Sequence, residues 1–322
     1  MRRKHVIFLG LAILLLSSGT GISTPGEPVR LTEEKEGFIC PVFSPDGRSI
    51  AMTRESWAGI WKMNSDGTGL EELTSDPGSG YKFEWSPDGR HIAYRTDKYL
   101  DGKRHFTIRI VAVETKSIEE IAGFERFLGT PYWISEDGSI VFQADRDGSM
   151  TRTRVLKSDP SASQIPGSDL VAGTTQDLQI WVGRPDGSDR TLVSNPDERC
   201  FDPIMSPTGN HVSYGVLAHG GSIAVAGADG SNAVNLGYGS NPGWSPDGRS
   251  LVHEVTADDG HVITGSELYT IDRDGGGRIQ LTDTPDRIER WPGWSPDGRT
   301  IIFSSGGAIY LLPLSPPTQS EE

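Results

Sequence analysis

The chain has 322 residues, a formal net charge of −14 and two cysteines. An acid surplus of this size repels nucleic-acid phosphates and anionic lipid headgroups, so nucleic acid is excluded as an expected partner. The length would allow two ordinary domains, but internal repetition overrides that inference.

The first 21 residues, "MRRKHVIFLGLAILLLSSGTG", combine a basic start, an eleven-residue apolar run from Val6 to Leu16 and a small-residue end. This pattern predicts a secretory signal peptide, since the run is shorter than the roughly 20 residues that a membrane span requires. Cleavage would remove Arg2, Arg3 and Lys4 and take the charge from −14 to −17. The mature chain is therefore expected in the periplasm or outside the cell, with no membrane insertion. Residues 22–27 are expected to be a linker, 28–314 the folded domain and 315–322 a disordered tail.

Six copies of a strand–turn–strand signature follow. They are "FSPDGRSIAM" at Phe43, "WSPDGRHIAY" at Trp85, "WISEDGSIVF" at Trp133, "MSPTGNHVSY" at Met205, "WSPDGRSLVH" at Trp244 and "WSPDGRTIIF" at Trp294. The anchors lie 42, 48, 72, 39 and 50 residues apart. Apart from the 72-residue interval, this is the period of a propeller blade, about 40–50 residues. In the Ser-Pro-Asp-Gly turn, Pro presets φ, Asp bonds the backbone ahead of it and Gly accepts the left-handed conformation.

Period-2 alternation places Ile50, Ile92, Ile140, Val212, Leu251 and Ile301 on one core face. Met52, Tyr94, Phe142, Tyr214, His253 and Phe303 fall on that face two residues later. Pro41, Pro131, Pro203, Pro242 and Pro292 precede their anchors by two residues, which puts the first strand of each blade at a sheet edge, lining the axial channel. Asp-Gly hairpins such as "GIWKMNSDGTGLEELT" and "ELYTIDRDGGGRIQLT" supply the third and fourth strands. The sixth copy ends before a fourth strand, and "PVRLT" (28–32) stands ahead of the first copy at the spacing a fourth strand would have. The expected fold is therefore all-β: a six-bladed β-propeller of four-stranded antiparallel blades, the last closed by the N-terminal strand.

The Trp-Ser-Pro-Asp-Gly turn, followed by Asp-Gly and a Leu-Thr ending, resembles the WD40-like (PD40) repeat of TolB-like six-bladed propellers. Similar repeats occur in tricorn and dipeptidyl-peptidase propellers. The resemblance covers residues 28 to 314 and implies the fold.

Cys40 and Cys200 fall in the first and fourth blades, across the ring. They are expected to be free thiols, mostly buried, because their Cα atoms exceed the ~7 Å limit for bridging. The long second-to-third loops "TDKYLDGKRHFT" and "TADDGHVITGSE", together with the segment from Asp145 to Asp177, share one face, and that face is the candidate for binding. At its centre lie the starts of the inner strands. The expected channel-mouth residues are Lys82, Glu84, Thr130, Tyr132, Asp202, Asn241, Arg290 and Trp291, unlike side chains converging on one concavity.

His91 and His211 follow turns, and His253 reads as a core ring. His105, His219 and His261 lie in loops of three different blades. "DRDG" at Asp145 and Asp272 reads as a hairpin rather than a calcium loop, and no nucleophile elbow or phosphate-cradling motif occurs. The sequence thus predicts no cofactor and no metal. It predicts a monomeric, non-enzymatic scaffold with a protein or glycan partner; the alternative is a metal-assisted polysaccharide lyase or hydrolase using the channel mouth.

Overall fold

The computed structural model describes residues 25–134, 139–144, 150–154, 170–175, 177–184, 186, 188–218, 221–285 and 287–314. The expected leader, residues 22–24 of the expected linker, the tail, Asp145 and His219 lie outside the described residues. No helix among those described is long and apolar enough to cross a membrane.

Strands β1 (Val29–Arg30) and β2–β5 (Phe38–Phe43, Ser49–Arg54, Ile60–Asn64, Glu71–Thr74) open the chain. The second blade is β6–β9 (Glu84–Trp85, His91–Leu100, Lys103–Ala112, Ile118–Glu120). The next strands are β10–β12 (Tyr132–Ile134, Ser139–Gln143, Met150–Arg154) and β13–β15 (Val171–Thr174, Ile180–Gly183, Thr191–Leu192). The fourth blade is β16–β19 (Cys200–Met205, His211–Val216, Ser222–Gly227, Val234–Tyr238) and the fifth β20–β23 (Ser240–Trp244, Ser250–Asp258, Ile263–Asp272, Ile279–Gln280). The sixth comprises β24–β26 (Glu289–Trp294, Thr300–Ser305, Ala308–Pro313), with β1 as its outer strand.

The six repeats thus stand as a six-bladed β-propeller, and the third differs from its siblings. Five sheets have four strands, whereas the 72-residue interval is divided between two three-stranded sheets, β10–β12 and β13–β15. The segment read from sequence as one long loop therefore contains two paired strands, β12 against β11 and β13 against β14. Val141 of β11 packs on Val171 and Trp181, and the opposite face of β13–β15 buries Ala172, Ile180 and Val182 against Cys200, Val212 and Tyr214. Burial on both sides is what keeps so short a sheet in place.

The repeat turn is built as its residues dictate. Ser44 Oγ donates to Asp46 Oδ1 at 2.6 Å, Asp46 accepts from the Arg48 amide and Gly47 sits at φ 71°. The same bonds recur at Ser86, Ser245 and Ser295. Three of the four anchor tryptophans tie their blade to the one before. The indole N–H of Trp85 donates to the Val42 carbonyl, that of Trp133 to Glu84 and that of Trp244 to Ile204, at 3.0–3.2 Å.

The core positions Ile50, Ile92, Ile140, Val212, Leu251 and Ile301 are all fully buried, and His253 is buried with them, as a core ring should be. The last blade closes as expected. Val29 pairs with Leu311 and Arg30 with Tyr310, and the Leu31 amide donates to the Ile309 carbonyl at 2.8 Å. Cys40 and Cys200 are both free.

Candidate ligand-binding site at the channel mouth

The inner strands reach the axis through a repeated backbone device. Cys40, Lys82, Asp202, Asn241 and Trp291, each three residues before its anchor, all have φ between 49° and 56°. In β2, β16, β20 and β24 this residue sits in a β-bulge, where the pairing register shifts. The proline after it in these strands has no amide to leave unpaired. A bulge re-aims a side chain out of the alternating pattern, which is how Cys40, Asp202, Asn241 and Trp291 leave the sheet plane.

Lys82 and Asp202 are brought together: Nζ and Oδ1 lie 2.5 Å apart, although they come from the second and fourth blades. Burial works against the Lys82 ammonium, but Asp202, Tyr132 and Tyr81 outweigh it and hold its pKa above the usual lysine value. Lys82, Thr130, Tyr132 and Asp202 line one cavity of about 220 Å³ together with Tyr81, Arg95 and Gln143. Burial raises the pKa of the Tyr132 phenol, so the ring stays neutral.

The other expected residues are placed differently. Glu84 is not part of this cavity's lining; its carboxyl accepts the Trp133 amide at 2.9 Å and burial pushes its pKa up to about 8. Asn241, Arg290 and Trp291 form a second cluster around Glu254, a fully buried carboxylate absent from the sequence-based set. Glu254 accepts from Arg290 Nε at 2.7 Å, the Trp291 amide at 2.8 Å, Asn241 Nδ2 at 2.9 Å and Ser240 Oγ at 3.1 Å. These bonds satisfy the charge and lock the fifth blade to the sixth.

Arg95 is the other residue missed. It is half-buried, and its Nη1 donates to the Leu128 carbonyl at 2.7 Å. Among the described residues it has no carboxylate within ion-pairing distance. Its guanidinium stacks on Phe106 at 4.6 Å, and it stands in the wall shared by the mouth cavity and a neighbouring one of about 570 Å³. A signal for both residues was present in the repeat. Ten positions past the anchors stand Thr53, Arg95, Gln143, Gly215, Glu254 and Ser304, a column as varied as the core columns are uniform.

Among the described residues, no three His, Cys, Asp or Glu side chains gather as a metal-binding set. His105 and His261 remain on separate hairpins.

No family model matches the chain. Dipeptidyl-peptidase 5 of Porphyromonas gingivalis is 23% identical over 86% of the chain and 46% of its own length, so the chain spans about half of that curated relative. TolB from Acinetobacter baumannii superposes with a TM-score of 0.56 at 16% identity, over 82% of this chain and 59% of that one. Oligogalacturonate lyase from Vibrio parahaemolyticus gives 0.50 at 15% identity, over 90% and 81%. The chain is TolB-like in fold.

These findings overturn the expectation of a non-enzymatic chain, because the curated relative is a peptidase and a lyase shares the fold. That expectation rested on missing local motifs, and in a ring catalytic groups can come from separate blades without forming any contiguous motif.

Proposed function

We propose that the chain is an exported propeller that captures an anionic ligand at the channel mouth, with Arg95 as the receiving cation and Tyr81, Lys82, Thr130, Tyr132 and Asp202 shaping the cavity. One observation carries this reading: a half-buried guanidinium without a carboxylate partner among the described residues, in the wall between two cavities. Removing a cation from water without a counter-charge is costly, and an incoming carboxylate supplies the counter-charge through the planar fork that arginine presents. The leader supports export to the periplasm or beyond. The ligand would belong to a protein or glycan partner, and the closed ring supports a monomer.

The test is titration of glucuronate, as a minimal carboxylate probe, into the wild type and Arg95→Gln. A charge-assisted pair contributes about 1.5–3 kcal/mol, so the variant should bind roughly 10- to 100-fold more weakly. Equal affinity would refute the reading.

Catalysis at the same mouth is a second reading, favoured by the peptidase relative and by Glu84. A carboxyl that keeps its proton to about pH 8 is in the state a general acid requires. Loss of turnover in Glu84→Gln with ligand binding intact is the expected signature.

A further inference from the structure

The cavities around the mouth are joined by aromatic rings. Tyr81 lines both the 220 Å³ and the 570 Å³ cavity, Trp57 lines the second, and Trp291 lines a third of about 450 Å³. Trp57 meets Tyr81 edge-on at 5.5 Å and Trp291 edge-on at 6.0 Å, with interplanar angles of 79° and 85°. The three rings therefore form one continuous stripe that crosses the second, first and sixth blades. Trp57 and Trp291 are held in the left-handed backbone region, at φ 59° and 53°. The conformation of Trp291 belongs to the bulge repeated along the inner strands, whereas that of Trp57 has no counterpart there, and such positions concentrate where ligands bind.

The charges along the stripe limit what it can take. Lys82 is paired with Asp202, Arg104 with Asp97 and Arg290 with Glu254. That leaves Arg95 as its half-buried cation without a carboxylate partner among the described residues. A ligand charged on every unit would meet half-buried Arg95, exposed Arg287, the carboxylates Glu34 and Glu55 in the wall of the third cavity, and a chain of net charge −14, so it is disfavoured. Flat rings set nearly at right angles suit the apolar C–H faces of sugar rings, because the negative ring face attracts polarised C–H groups. Asp97, with only 11% of its side chain exposed in the wall of the 570 Å³ cavity, is placed to accept sugar hydroxyls.

We propose that this stripe binds an oligosaccharide in which one carboxylate-bearing sugar is joined to neutral sugars, the acid on Arg95 and the neutral rings on Trp57 and Trp291. The inference rests on the reading of the mouth given above and adds the ligand class and its polarity.

The test is calorimetric titration of the full chain with five probes: glucuronate, a tetrasaccharide with one glucuronate and otherwise neutral hexoses, its carboxyl-reduced form, a tetrauronate, and an acidic tetrapeptide. The mixed tetrasaccharide should bind at least about tenfold more tightly than any of the others. Trp57→Ala and Trp291→Ala should abolish that gain while leaving glucuronate within about twofold of wild type. Trp57→Phe, which keeps an aromatic face, should retain part of the gain and provides the test if the alanine variant does not fold. Wild-type affinity for the mixed tetrasaccharide in both tryptophan variants would overturn the proposal, as would equal or tighter binding of the peptide or the tetrauronate. Failure of the mouth reading is separate, because it would show as unchanged glucuronate binding in Arg95→Gln.

Discussion

Two titratable side chains, half-buried Glu84 and buried His253, give stability opposite dependences on pH. Glu84 has its pKa raised by burial from 4.5 to about 8, so between those values the native state holds a proton that the unfolded chain has lost. Stability contributed at Glu84 therefore falls as pH rises through that window. His253 has its pKa lowered from 6.5 to about 4 by burial and by nearby Arg278, and both ring nitrogens lack partners. Between about 6.5 and 4 the unfolded state binds the extra proton, so stability is lost as pH falls. From pH 6.5 to 8 only Glu84 of this pair acts. Urea titrations should show wild-type stability declining across that range, a flatter profile in Glu84→Gln, and in His253→Phe a change confined to pH values below about 6.5. Glu254 is a different case, because four donors converge on a carboxylate with no exposed surface. Glu254→Ala leaves the Arg290 cation half-buried and unpaired, and should cost about 3–5 kcal/mol in chemical denaturation.

Among the elements, two segments that look alike in sequence as insertions are predicted to behave oppositely. The hairpin between β7 and β8 runs ten residues on each strand, and its tip is solvent-exposed, with Tyr99 71% exposed. Shortening it across residues 99–102 should leave the thermal midpoint within a few degrees of wild type, because little burial is lost. Deleting residues 150–174 removes β12 and β13, and with them the buried Val171 and Ala172 that join two neighbouring sheets. That deletion should abolish cooperative unfolding. A variant that unfolds with the wild-type midpoint and m-value would contradict the packing described. From sequence the segment read as a loop because it carries no Trp-Ser-Pro-Asp-Gly turn to mark a strand pair, and "VAGT" is too short and too small-residue-rich to declare itself without its partner β14.

For the whole molecule, closure depends on two residues of β1 and the bonds around them. The Ile309 amide donates to Thr32 Oγ1 at 3.0 Å and the Gly26 amide to the Pro313 carbonyl at 2.8 Å. A chain beginning at residue 33 would expose β26 as an unpaired edge, so it should be less stable and associate in light scattering where the intact chain does not. The repeat itself was legible residue by residue. The turn chemistry, the uniform core columns and the proline-marked inner strand are local, and a four-strand blade needs little more than local pattern to be recognised. The incomplete sixth copy and "PVRLT" likewise implied the closure that is observed. The channel-mouth residues could be located from their distance to the anchors, but not their partners. Lys82 meets Asp202, 120 positions away in the chain, and Glu254 gathers Arg290 and Trp291 from the next blade. Such pairs exist only because the ring brings strand ends from different blades to one axis. The sequence alone therefore determined the strands and their order. Only the tertiary structure decided which charges neutralise one another and that Arg95 has no carboxylate partner among the described residues, because charge neutralisation depends on distances in space that separation along the chain does not encode.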